Sequence, residues 1–124
     1  IFVFNESLEF VKKYQTLDKN FQGITSAAIR ITSDQKHLYV SNRGFDAITH
    51  FEIKDDGSLK QRKIYNTHGK HPRDFNLSLD ETKLVVGNMQ SNNVAIFDRN
   101  EQTGELKFVK NIQVSEPTSI HFIL

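Results

Sequence analysis

The stretch from Ile29 to Lys60, IRITSDQKHLYVSNRGFDAITHFEIKDDGSLK, is followed by a second version of itself from Phe75 to Lys107, FNLSLDETKLVVGNMQSNNVAIFDRNEQTGELK. With one residue inserted in the second copy, Asp34 falls on Asp80, Leu38 on Leu84, Asn42 on Asn88, Phe51 on Phe97 and Gly57 on Gly104. The offset is about 46 residues. A third copy begins near the end, where Pro117 to Phe122 matches Pro72 to Leu77. Ile1 to Phe10, IFVFNESLEF, matches the back half of a unit, Ala95 to Phe108. Residues 1–18 therefore read as the end of one unit, 26–68 and 72–115 as whole units, and 117–124 as the first strand of a closing one. The chain is expected to be the C-terminal portion of a larger repeat domain.

Within each unit the apolar residues come in short runs separated by turn residues, which is strand spacing and too short for helices. In the second full copy the spacing predicts strands over 74–77, 83–87, 93–97 and 106–112, with the first copy parallel to it. Ser33-Asp34-Gln35-Lys36 and Leu79-Asp80-Glu81-Thr82 suit tight turns, while Gly57 and Gly104 stand where a positive φ is needed. Leu84-Val85-Val86 and Ala95-Ile96-Phe97 are apolar at consecutive positions, so both faces of the sheet must be covered. A four-stranded meander of about 40 to 50 residues that needs a similar sheet on each side is a β-propeller blade. The expected fold is all-β, a propeller portion of about two complete blades plus partial blades at both ends. So few blades cannot close a ring, since propellers need roughly four or more. The remaining blades, or self-association, are expected to cover the open edges.

Lysine plus arginine number 16 against 15 aspartate plus glutamate, so bulk charge selects neither nucleic acid nor an anionic membrane as partner. No apolar stretch approaches the roughly 20 residues of a membrane span. Cysteine is absent, which removes disulfides and thiolate chemistry from this portion and fits a cytoplasmic protein.

Strand direction locates a site. In an up-and-down blade the link from the second to the third strand and the link to the next blade emerge at one end. Ser41 to Asp46, Gly87 to Asn92, His68 to Arg73 and Ser115 to Thr118 therefore share one rim, as expected for a site built of loops on a rigid scaffold. Arg43 and Arg73 are candidates to hold a carboxylate or phosphate bidentately. The alternative is that they pair with the nearby acids Asp46 and Asp74. His71, just before Pro72, could transfer a proton near neutral pH. Asn88 and Gln90 are candidate substrate contacts on the same rim, although Asn42 and Asn88 are equivalent and turn geometry also accounts for them. Arg43 is replaced by Met89 in the second copy, so the fold does not need the arginine. Arg30, Asn76 and His121 are equivalent in the three first strands and read as a packing requirement. His37, His50, His68 and His121 lack metal-ligand spacing and read as structural or exposed. No phosphate loop, nucleophile elbow or zinc cluster appears, and neither metal nor cofactor is expected.

The residues Leu38-Tyr39-Val40-Ser41-Asn42-Arg43-Gly44, His71-Pro72-Arg73-Asp74-Phe75 and Ser91-Asn92-Asn93-Val94-Ala95-Ile96-Phe97 resemble the seven-bladed lactonase family, from about Ser26 to the end. That family includes propeller-type 6-phosphogluconolactonases and carboxymuconate cyclase. The resemblance implies the last third or so of a lactonase that opens a sugar lactone such as 6-phosphogluconolactone, in carbohydrate metabolism and the pentose phosphate pathway. It carries the Ser-Asn-Arg and Pro-Arg-x-Phe motifs onto Arg43 and Arg73, and it implies that other acid-base residues lie on earlier blades. This chain departs from the family at Asn88-Met89, where Asn-Gln is usual, and in the first hairpins, where Pro-x-Gly is usual. The rival class is a propeller that serves as a non-catalytic binding platform. The 124-residue chain alone is expected to be inactive. Metal-independent lactone hydrolysis by the purified chain would contradict that.

Overall fold

The structure, a computed structural model, describes residues 1–18, 20, 21, 23 and 25–124. Left-handed residues set its hairpins. Gln35 and Glu81, each at φ 57°, donate their N–H to Thr32 and Ser78 carbonyls at 2.9 and 2.8 Å. The carboxylates of Asp34 and Asp80 accept from Lys36 and Thr82 N–H groups in the same turns. Gly57 and Gly104 turn the third strand of each unit into the fourth at φ 78° and 72°.

The strands that result are β1 (Phe2–Phe4), β2 (Phe10–Lys13), β3 (Thr25–Ile31), β4 (His37–Arg43), β5 (Ala47–Ile53), β6 (Leu59–Asn66), β7 (Pro72–Leu77), β8 (Lys83–Asn88), β9 (Asn93–Arg99) and β10 (Leu106–Gln113). They form a two-stranded sheet β1-β2 and two four-stranded sheets, β3-β4-β5-β6 and β7-β8-β9-β10, every pair antiparallel. A 3₁₀ turn, Met89–Ser91, links β8 to β9. This is a portion of a β-propeller. Compared with the expectation from spacing, β7 starts at Pro72 rather than Asp74, where it pairs with Asn88 of β8, and β9 continues to Arg99 rather than Phe97, where it pairs with Leu106 of β10. Residues 117–124 have no ladder partner among the described residues. They lie beside β7, where Ile120 N donates to Asp74 Oδ2 at 2.8 Å and Asn76 Nδ2 donates to Ile120 O at 3.0 Å.

The consecutive apolar residues of the inner strands explain the stacking. Tyr39, Ile48 and Tyr65 of the first whole sheet meet Phe75, Leu84, Val86, Ala95, Phe97 and Leu106 of the second in one core. Leu38, Val40 and Phe51, on the opposite face of the first sheet, pack with Ile1, Ile53 and Leu59 in another. Each side chain of this size contributes about 1.5–3 kcal/mol when fully buried. The far face of the second sheet, carrying Val85 and Ile96, stays half-buried.

The inner strands are also stitched by polar groups. Arg30 donates to Asn76 Oδ1 at 3.3 Å and to Asp74 Oδ1 at 2.9 Å, and Asn76 in turn reaches Ile120. At the end opposite the links, Tyr39 donates to Gly104 O at 2.6 Å and accepts from Arg99 Nε at 2.9 Å. His50 stacks on Tyr39, and its Nε2 lies 3.0 Å from His37 Nδ1 in a buried pair. A Cβ on Gly104 would collide with both imidazoles, so only glycine lets the sheets approach here. His37 and His50 fall within the expected structural role, but the contact between them crosses the β4–β5 pair diagonally and was not visible in spacing.

Burial holds His50 down to about 4, with His37, Arg99 and Arg62 adding to the effect and Glu52 opposing it. Burial and Arg99 lower His37 as well. The unfolded chain takes up protons below the ordinary histidine value of about 6.5, while the folded pair refuses them. Stability is therefore full above about pH 6.5 and lost progressively as pH falls toward about 4, where His50 titrates in the folded state. The urea midpoint of the full-length protein is expected to fall between about pH 6.5 and 4.5. A level midpoint across that window would contradict the pair's burial.

Candidate functional site

The four links expected at one rim are tied together there by backbone and side-chain hydrogen bonds. Asp46, at the end of the β4–β5 link, accepts from Gly44 N at 3.2 Å and from His71 N at 3.0 Å through the same Oδ1. Its carbonyl takes Thr67 N at 3.1 Å and Thr67 Oγ1 at 2.9 Å. The link between sheets then meets the β8–β9 link: Met89 N donates to His71 O, Gln90 N to Lys70 O, and Lys70 N to Ser91 Oγ at 2.7 Å. Asn93 and Asn111 side chains both donate to His68 O. Gly69 lies flat on this assembly, since a Cβ there would stand 2.5 Å from Ser91 Oγ and 2.6 Å from Asn88 Cγ. His68 and His71 both hold left-handed conformations, φ 55° and 62°, which non-glycine residues adopt only when neighbours impose them.

Arg43 ends β4, half-buried, and its Nε is buried with no hydrogen-bond partner. Arg73 is exposed and sits where the β7–β8 register shifts, between the pairs Pro72 with Asn88 and Asp74 with Gly87. Such a bulge leaves its residue unpaired and re-aims the side chain. Neither arginine forms an ion pair among the described residues, so the alternative in which Asp46 and Asp74 neutralise them does not hold. Asp74 is taken by Arg30 and the Ile120 N–H, and the Asp46 Oδ1 is taken by backbone donors. Two guanidinium groups without carboxylate partners therefore stand on one rim beside half-buried His71.

Asn88 is fully buried, and its Nδ2 donates to Thr67 O at 2.8 Å, so it holds up the link beneath His71. Its Oδ1 has no partner among the described residues. The equivalent Asn42 has both ends engaged, accepting from Thr16 and Ser26 and donating to Thr49. Ala95 and Pro72 replace Thr49 and Ser26 in the second unit. Gln90 is exposed on the 3₁₀ turn. One cleft runs against Leu17, Phe21, Ile64 and the rim residue Phe45, and Arg43, His71 and Arg73 do not line it. No cluster of three or more metal-ligating side chains occurs among the described residues.

Chemically, the rim offers two uncompensated guanidinium groups for a phosphate, carboxylate or oxyanion and one imidazole for proton transfer. Comparison with known proteins bears on what it serves. The family described as "Lactonase, 7-bladed beta-propeller" matches residues 3–122, extending the likeness well before Ser26. An uncharacterised protein of Staphylococcus aureus strain USA300 is 38% identical over 110 residues, which is 86% of this chain and 32% of that protein. Among solved structures, the Pseudomonas aeruginosa periplasmic gluconolactonase PpgL superposes with a TM-score of 0.90 at 26% identity, over 99% of this chain and 36% of its own. A Bacteroides fragilis protein provisionally described as a 6-phosphogluconolactonase gives a TM-score of 0.87 at 30% identity, over 98% of this chain and 35% of its own. The chain thus spans about a third of the length of the relatives it matches.

Replacing Arg43 by the residue its twin position carries, Arg43→Met, is expected to leave stability within about 0.5 kcal/mol, because it removes a buried donor that has no partner among the described residues. Thermal or urea unfolding checks this. A loss of about 2 kcal/mol or more would make Arg43 a residue of the fold.

Proposed function

We propose, from the premise that this chain belongs to the family of seven-bladed β-propeller lactonases, that its rim is part of a site which hydrolyses the ring ester of a sugar lactone, 6-phosphogluconolactone being the first substrate to try. One observation carries the reading. Arg43 and Arg73, which stand in the motifs shared with that family, are presented at one rim without carboxylate partners, beside His71.

The chemistry required is modest. Water attacks the lactone carbonyl, and His71 accepts its proton. The carbonyl oxygen becomes an oxyanion that a guanidinium stabilises, and the second guanidinium holds the substrate's own anionic group. The ring carbon–oxygen bond then breaks, the proton passes to the departing ring oxygen, and the new carboxyl group ionises. No redox step and no group transfer to a carrier enters this sequence. In this reading the remaining blades of the ring cover the open sheet faces and complete the site from the other side of the channel.

Arg43→Ala and Arg73→Ala in the full-length protein are each expected to lower kcat/KM on 6-phosphogluconolactone by about 10-fold or more with unfolding temperature unchanged. An arginine that meets only the substrate's fixed anion raises KM, whereas one that meets the oxyanion lowers kcat. Unchanged turnover in both variants would remove the rim from the site and favour a binding platform.

A further inference from the structure

The two units differ in chemistry inside a link whose backbone they share. Asp46 and Asn92 stand in the same place, immediately before β5 and β9, with φ of 55° and 54°. They also perform the same task. Asp46 O accepts from Thr67 N at 3.1 Å and its Oδ1 from His71 N at 3.0 Å. Asn92 O accepts from Val114 N at 3.1 Å and its Oδ1 from Glu116 N at 3.0 Å. In both units a side-chain oxygen on a left-handed residue fastens the link to the next blade.

An amide suffices for this clasp at Asn92, so the clasp needs no charge. The first unit nevertheless carries a carboxylate there, in the turn that also carries Arg43, whose twin is Met89. Both charges of that turn are surplus to the shared backbone. The N–H that Asp46 accepts belongs to His71, and the same oxygen accepts Gly44 N at 3.2 Å, drawing the Arg43 turn and the His71 link together.

We propose that Asp46 is a positioning residue of the rim site, and that its negative charge supports proton transfer at His71; this rests on the lactonase reading above. When His71 takes the proton of the attacking water it becomes a cation. A carboxylate anchored to its own backbone N–H stabilises that cation as it forms. The same charge opposes any anion held by Arg43 and Arg73. The two effects have opposite signs, and a residue that merely shaped the loop would not separate them.

Asp46→Asn keeps the accepting oxygen and removes the charge, whereas Asp46→Ala removes both. In the full-length protein, Asp46→Asn is expected to keep the wild-type unfolding temperature, lower kcat on 6-phosphogluconolactone by about 10-fold, and bind the product 6-phosphogluconate roughly three-fold more tightly at low salt. Asp46→Ala is expected to lower the unfolding temperature as well, by about 2–4 °C. Wild-type turnover by Asp46→Asn would overturn the proposal, as would a loss of unfolding temperature equal to that of Asp46→Ala. If the wild-type protein turns over no lactone, the function proposed above fails by itself. Calorimetric titration with 6-phosphogluconate still decides the placement of the charge: tighter binding by Asp46→Asn supports it, and equal or absent binding in both proteins overturns it.

Discussion

Each four-stranded sheet in this chain has two apolar faces, and a sheet of this kind can hide them only against others like itself. Tyr39, Ile48 and Tyr65 on one side and Phe75, Leu84, Val86, Ala95 and Phe97 on the other form the seam on which everything else depends. Along the seam the first strands β3 and β7 come side by side, and Arg30, Asp74 and Asn76 can bond from one unit to the next. Gly104 sets how closely the sheets approach at one end, beneath Tyr39 and the two buried imidazoles. At the other end Gly69 lets the link between the sheets lie against Asn88, Ser91 and Asn93.

Radial packing also decides where chemistry can occur. It spends the faces of the sheets on contact and leaves only the two ends free, one with short tight turns and the other with the longer links. Those links are not loose. Asp46, His71, Asn92 and Glu116 all hold left-handed conformations, each fixed by a bond to a neighbouring link. A rim made in this way can present a guanidinium or an imidazole with little further ordering when a ligand arrives. Repetition then separates structure from function. What the two units share, such as Asn42 with Asn88 or the clasp at Asp46 and Asn92, serves the fold, and what they do not share, such as Arg43 against Met89, is free to serve a site.

Much of this was legible in the amino-acid sequence. The repeat gave the strand count and direction, and direction alone gathered Arg43, His71, Arg73 and Gln90 at one rim. What escaped was whatever depends on register or on the neighbouring unit. Arg73 is exposed because the β7–β8 pairing slips by one residue beside it, and a slip of register leaves no mark in apolar spacing. Asp74, the alternative partner for Arg73, bonds Arg30 on another blade's inner strand. Asn88 looked available because it opens the β8–β9 link, yet Gly69, in the link between the sheets, lies against its side chain, and Asn88 is fully buried. The pair His37 and His50 meets diagonally across two strands and between two sheets, which no one-dimensional spacing reveals.

The most direct measurement is a crystal structure of the full-length protein with 6-phosphogluconate bound. An anionic group of the ligand, carboxylate or phosphate, is predicted within hydrogen-bond distance of the Arg43 and Arg73 guanidinium groups, with His71 facing the former lactone carbon. Ligand ordered on another part of the ring, with both arginines and His71 left to solvent, would contradict the assignment of this rim.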